Sequence, residues 1–317
     1  MSTATDTTLD AIGAFAPFGE SLNSASQAAS QSADPSDRKI VALGVDSGAT
    51  LVKICALDES GARHFATWLS PATERIHELI QGLAPERIGV TGCGSSEILG
   101  ALNQPASNPI EFDAWGRGAN EILEISEQGS DSAYLLVSIG TGTSTLRVEG
   151  DQVERVGGTA LGGGTALGLG VALTACRSHD DLVALAARGE RGRVDLLISD
   201  IYEQSEIALA AEATASSFGR LARSVDPEKA ALLGPPAREQ DLAAAAMSLV
   251  AENIALLSTA NARTAGVSRV VYGGSTLNAN PTIVETIRVI STVLGFESII
   301  LPASGHAGAF GAMLLSA

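Results

Sequence analysis

The chain has 317 residues, 45% of them apolar, and carries 36 acidic against 20 basic side chains for a formal charge of −16. That apolar content can bury one large core or two lobes of about 100–150 residues each, which places the chain among globular proteins. The negative field, unrelieved by any Lys/Arg-rich stretch, excludes a phosphate-backbone footprint and so nucleic acid as a partner. A small anion can bind only where local Lys, Arg and backbone N–H groups overcome that field.

Residues 1–37 include Asp6, Asp10, Glu20, Asp34 and Asp37, no Lys or Arg, and the Ser/Ala/Gln stretch Ser21–Ala33. Such a segment buries too little apolar surface to offset its ordering entropy, so a disordered acidic extension is expected. It has neither a basic n-region nor a continuous h-region, and no apolar run along the chain reaches the roughly 18–20 residues of a membrane span. Cys55, Cys93 and Cys176 are far apart and lack CxxC spacing, which fits reduced thiols and a cytoplasmic location.

The folded part opens with Ile40–Asp46, an apolar, branched run that reads as a buried strand. Ser47-Gly48-Ala49-Thr50 is a small-residue turn, Leu51–Leu57 a second strand, and Arg63–Leu69 a third after the turn Asp58–Gly61. About ninety residues later the plan recurs. Tyr134–Ile139, the turn Gly140-Thr141-Gly142-Thr143, Ser144–Val148, a turn at Glu149–Asp151 and Gln152–Val156 repeat strand, turn, strand, turn, strand. Two lobes on one plan are expected, with an N-terminal lobe over residues 38–127 and a C-terminal lobe over 128–317. Helical spacing marks Ala114–Ser126, Gly164–Cys176, Asp180–Ala187, Ala213–Val225 and Asp241–Thr264. Arg269–Tyr272 is a further strand, ending in Gly273-Gly274-Ser275. Gly305–Ala312 opens a small-residue helix able to pack very close to a neighbour, and residues 305–317 can return to the first lobe. Strands alternating with helices give an α/β fold.

Asp46–Lys53 joins two strands through a turn whose small side chains let backbone N–H groups approach a phosphate. Asp46 could hold magnesium through water, and Lys53, one of only three lysines, supplies a point charge. Taken alone, an ordinary hairpin would explain the turn equally well. No GxxxxGK[ST] occurs, which excludes a P-loop kinase. Gly140–Ser144 offers the same access with three hydroxyls, and two such turns facing across a cleft would clamp a triphosphate. Arg155–Thr165 places five glycines within eight residues before a helix, where unpaired N–H groups and the helix dipole favour an anion. Glu111, just ahead of a helix with Asp113 as its N-cap, is placed to accept a hydroxyl proton, although a glutamate at such a point is more often a solvated charge. His64, His77, His179 and His306 form no metal-ligand pattern and read as surface or packing residues.

Asp46–Lys53, Thr91-Gly92-Cys93-Gly94, Glu111-Phe112-Asp113-Ala114, Ile139–Ser144, Arg155–Gly164 with Gly168-Leu169-Gly170, Asp195–Tyr202, Ala215–Gly219 and Tyr272–Ser275 resemble, in order, the motifs of type II pantothenate kinases. The resemblance covers residues 40–317. It implies a two-lobed actin/ribonuclease H-like fold, that of acetate and sugar kinases, Hsp70 and actin, with the nucleotide in the interlobe cleft. It also implies phosphorylation of pantothenate by MgATP, the committed step toward coenzyme A, in a homodimer. Glu111 then corresponds to the catalytic base and Arg155 to the pantothenate contact. Asp46, Ser47, Gly48, Ala49, Thr50, Lys53, Thr141, Gly142, Gly163, Gly164, Thr165 and Ser275 correspond to nucleotide contacts, with Mg2+ held by Asp46 through water. Two positions depart from the pattern, since Ala49 and Cys93 stand where the family has glycine. Three other readings share the fold: a kinase of a sugar or another hydroxylated molecule, a non-catalytic ATP-binding sensor or chaperone-like ATPase, and the ATP-dependent activator of a radical dehydratase. The last needs cysteines for an iron–sulfur cluster, and Cys55, Cys93 and Cys176 offer no convincing pair.

Overall fold

The computed structural model describes residues 16–17, 39–202, 213–226, 228 and 235–316. The expected acidic extension therefore lies outside the described residues, except for Ala16–Pro17 (β1), which pairs antiparallel with Phe65 and His64.

In the first sheet β2 (Ile40–Ser47), β3 (Leu51–Asp58) and β4 (Arg63–Leu69) form an antiparallel meander, and β5 (Arg87–Thr91) joins β2 in parallel. The second sheet repeats this plan. Its β6 (Tyr134–Ile139), β7 (Thr143–Glu149) and β8 (Gln152–Thr159) are the meander, β11 (Arg269–Gly273) is the parallel neighbour of β6, and β12 (Glu297–Ile300) extends the edge. In both sheets the first strand of the meander lies between its hairpin partner and the later parallel strand. The repeated strand–turn–strand pattern is thus a repeated tertiary unit.

Three apolar layers hold the sheets. Helices α1 (Thr73–Leu83) and α2 (Ser95–Ala101) cover the outer face of the first sheet, burying Ile76, Leu79, Ile80 and Ile98 against Leu43, Val45 and Ile54. Between the sheets lie α3 (Glu111–Ile125) and the final helix α9 (Ala307–Leu314), with Trp115, Ile122, Leu123 and Phe310 against Leu136, Leu146 and Val148. Each such side chain removed from water contributes about 1.5–3 kcal/mol before entropy is counted. The far face of the second sheet carries α4 (Gly163–Leu173), α5 (His179–Ala186), α7 (Glu239–Thr264) and α8 (Pro281–Val293). Of these, α7 is by length and composition apolar enough to cross a bilayer, in contrast to the expectation that no run reaches a membrane span. Most of it is buried inside the protein, where Ala243, Met247, Val250 and Ile254 pack on the second sheet.

The small residues of α9 are explained by its crossing of α3. A β-carbon on Gly311 would overlap the carbonyl oxygen of Ala114, so only glycine permits this backbone approach. Through it the end of the chain is built into the layer between the two sheets.

Several boundaries depart from expectation. Ala213–Val225 is not one helix: Thr214–Ser216 (β10) pairs with Leu196–Leu197 (β9), and only Gly219–Arg223 (α6) is helical, because Asp195 Oδ1 accepts the Phe218 N–H at 2.8 Å and fixes a turn there. Helix α3 starts at Glu111 itself, with Ile110 at the N-cap and no capping side chain, so Asp113 is not the cap. Elements α1, β5, α2, α8 and β12 were not among those predicted, although Asn280, whose Oδ1 accepts the Ile283 N–H at 3.3 Å, and Pro281 are a readable helix start.

Candidate active site

Asp46 and Lys53 are directly opposed on β2 and β3. This register brings Lys53 Nζ to 3.5 Å from Asp46 Oδ2, with the Asp46 carboxylate almost wholly buried. Burial pushes the Asp46 carboxyl above its usual range, and the Lys53 charge only partly opposes that. Gly308, in the first turn of α9, also closes on this carboxylate: a β-carbon there would lie 2.7 Å from Asp46 Oδ2.

Glu111 is brought to the same place by the loop before α3. Thr91, the β5 partner of Asp46, donates its hydroxyl to Pro109 O at 2.9 Å and so holds the backbone two residues before Glu111. The Glu111 carboxyl is raised by partial burial first, then by the Asp46 charge, while Lys53 lowers it. Asp46, Lys53 and Glu111, from three elements, thus form one electrostatic group. The residue Glu111 as a whole remains exposed.

The two small-residue turns meet. In the first, Gly48 N donates to Leu51 O at 3.0 Å, leaving Ala49 and Thr50 exposed. In the second, Gly140 N donates to Gly142 O at 2.9 Å, leaving Thr141 exposed. Thr50 Oγ1 and Thr141 Oγ1 are 2.9 Å apart. Neither departure from the glycine pattern strains the backbone, since neither Ala49 nor Cys93 has a positive φ. Cys93 is exposed and points its thiol toward Ser47 O at 3.7 Å, and Gly94 N donates to the same oxygen at 3.0 Å.

The glycine-dense loop differs from expectation in its hydrogen bonding. Gly163 N donates to Gly140 O at 2.8 Å and Gly164 N to Thr141 O at 3.0 Å, so these N–H groups are not free for an anion. They fasten the start of α4 to the second turn. Thr165 Oγ1 donates to Ala160 O at 2.9 Å, and Thr276, next to half-buried Ser275, donates to Gly140 O at 3.0 Å. Arg155 reaches toward α3, with its guanidinium carbon 5.9 Å from the centroid of the Phe112 ring.

Residues that spacing did not single out complete the surroundings. His306 Nε2 lies 3.0 Å from Thr67 Oγ1, its ring centroid 5.0 Å from that of Phe65, and burial depresses its pKa to about 4. It is a neutral packing group beside Lys53. Among the described residues no cluster of three or more His, Cys, Asp or Glu side chains could by itself hold a metal. Cys55 and Cys176 are buried in different cores, leaving Cys93 as the exposed thiol.

A family model described as Fumble matches residues 111–315. A type II pantothenate kinase of Oceanobacillus iheyensis is 33% identical over 275 residues, 86% of this chain and 99% of that protein. Its counterpart in Staphylococcus haemolyticus is 32% identical over the same shares. Among solved structures, the activator of 2-hydroxyisocaproyl-CoA dehydratase from Clostridium difficile with bound ADPNP is 17% identical with a TM-score of 0.54, covering 87% of this chain and 93% of that one. A ROK family glucokinase from Streptomyces griseus in complex with glucose and AMPPNP is 15% identical with a TM-score of 0.51, covering 87% and 99%. At such identities these two show the fold, an α/β two-lobed architecture with an interlobe cleft.

Proposed function

Because this chain belongs to the type II pantothenate kinase family, within the Fumble family, we propose that it transfers the terminal phosphoryl group of ATP to the primary hydroxyl of pantothenate, giving 4′-phosphopantothenate. The observation that carries the reading within the structure is the Asp46–Lys53 pair on the two strands flanking the first turn, with Glu111 within the field of both and the first turn in contact with the second.

Phosphoryl transfer asks mainly for positioning and charge stabilisation. The turns at Ser47–Thr50 and Thr141–Gly142 clasp the triphosphate, with Ser275 and the Gly163–Thr165 helix start closing the second lobe around the nucleotide. Lys53 sets its charge against the phosphates. Arg155 holds the acceptor, and Glu111 takes the hydroxyl proton as the new P–O bond forms. A carboxyl held above its ordinary value is a better proton acceptor than a free glutamate.

Asp46 fits a magnesium ion held through water. The ion commonly binds with one or two carboxylates, several waters and substrate phosphates, and Asp46 is a buried carboxylate that Lys53 only partly compensates. When bound, Mg2+ neutralises charge on the phosphates. A homodimer and a cytoplasmic location belong to the same reading, and sedimentation of the purified chain tests the former.

The deciding measurement is ADP release by purified protein with pantothenate, pantetheine, N-acetylglucosamine or no acceptor. Pantothenate-dependent release supports the assignment. Release with the sugar alone transfers it to a sugar kinase, and acceptor-independent release to an ATPase.

A further inference from the structure

Arg155 sits where β8 leaves its regular register. Leu146 pairs with Arg155, yet the preceding residue of β7, Thr145, pairs with Gly157, so Val156 is an extra residue and the two strands are irregular at that point. A bulge of this kind re-aims side chains beside it. In an unbroken strand Arg155 and Gly157 would share a face; here Gly157 goes to the α7 side, where a β-carbon would lie 2.6 Å from Asn261 Nδ2. Gly158, paired with Ser144, takes the face that Arg155 and Leu146 share.

That face is the one packed on α3, since Leu146 belongs to the core around Trp115 and Ile122. Gly158 leaves the space the arginine needs: a β-carbon there would lie 2.7 Å from Arg155 Nη2. On the other side the guanidinium is met by Phe112, its carbon 5.9 Å from the ring centroid, within reach of a cation–π attraction. Phe112 is the residue after Glu111 in the first turn of α3.

We infer that Phe112 is a positioning residue for phosphoryl transfer: with the Val156 bulge and the bare Cα of Gly158 it holds the Arg155 guanidinium at a set place relative to Glu111. The group gripping the acceptor and the group receiving its proton are thereby tied through one helical turn. The inference rests on the assignment of Arg155 to the acceptor side. An arginine on an exposed strand position otherwise samples many rotamers, and ordering it on each binding event weakens affinity.

The test is a double-mutant cycle on the full chain, with pantothenate affinity measured by calorimetry, kcat and KM by coupled ADP release, and folding by thermal melting. Phe112→Leu keeps apolar volume without a ring face, and Phe112→Tyr restores the face. Phe112→Leu is expected to weaken pantothenate binding about three- to thirtyfold with ATP affinity unchanged, Phe112→Tyr to recover most of the loss, and the effect of Phe112→Leu to vanish in an Arg155→Ala background. If Phe112→Leu weakens binding equally with and without Arg155, or not at all although Arg155→Ala weakens it, Phe112 does not act through the arginine and the inference is overturned alone. If Arg155→Ala leaves pantothenate affinity unchanged, the acceptor assignment fails and takes the inference with it. Loss of ATP and pantothenate affinity together with a lowered melting temperature in both Phe112 variants assigns Phe112 to packing only, which also overturns it.

Discussion

Thr50 and Thr141, 91 residues apart in sequence, touch through their hydroxyls at 2.9 Å. They are the exposed tips of the same turn in two copies of one folding unit, so their contact is a point at which the two units meet. With Cys93 replaced by Ser to remove the one exposed thiol, cysteines at both positions should form a disulfide on oxidation, the hydroxyl contact placing the two side chains within bonding range. Oxidised Thr50→Cys/Thr141→Cys is expected to lose at least tenfold in turnover and recover it with reductant, while each single variant is indifferent. Efficient cross-linking without loss of turnover would mean that nucleotide does not enter between these turns.

Glu111→Gln should lower kcat about 10²–10⁴-fold with little change in ATP affinity, since it removes basicity and keeps shape. Turnover within about threefold of the parent excludes Glu111 as the base.

The raised pKa of Glu111 gives two pH effects of opposite sign. With Glu111 as the proposed base, activity needs its ionised form, so kcat/KM should fall in acid at a pH above that of an ordinary carboxylate. Folding favours the protonated form, so the Glu111 contribution to stability is present at low pH and lost as pH rises through the folded pKa. Glu111→Gln, neutral at every pH, is therefore expected to melt higher than the parent at pH 7. A lower melting temperature contradicts the shift.

Lys53→Ala removes the ammonium proposed to face the phosphates and the partner of Asp46 together. ATP affinity should fall far more than pantothenate affinity. Stability should drop by about 1–3 kcal/mol because the nearly buried Asp46 is left uncompensated. Lys53→Ala/Asp46→Asn should regain most of that stability without regaining ATP binding, which denaturant titration and calorimetry separate.

Gly311→Ala should destabilise by about 1–3 kcal/mol or more, since the added carbon meets the backbone oxygen of Ala114 rather than a movable side chain. An unchanged denaturation midpoint would mean that α3 and α9 are not in close contact.

The local patterns of this chain determined a great deal. Branched apolar runs marked β2, β3 and β6, small-residue turns marked both loops that meet at Thr50 and Thr141, and the alanine/glycine spacing of Gly305–Ala312 announced a helix able to approach a neighbour closely, which begins at Ala307. These are properties of neighbouring residues, and the backbone periods of two and 3.6 expose them. Tertiary structure decided what depends on residues far apart. Strand register sets Lys53 opposite Asp46, and the packing of α3 between the sheets, with the Thr91–Pro109 bond just before it, brings Glu111 into their field. The Gly163 and Gly164 N–H groups looked free because their acceptors, Gly140 and Thr141, lie more than twenty residues earlier. Phe112, an ordinary apolar residue by composition, meets Arg155 only because a one-residue bulge on another strand turns the arginine and leaves Gly158 beneath it. Hydrogen bonds and charge–ring contacts act over a few ångströms of space, whatever the distance along the chain.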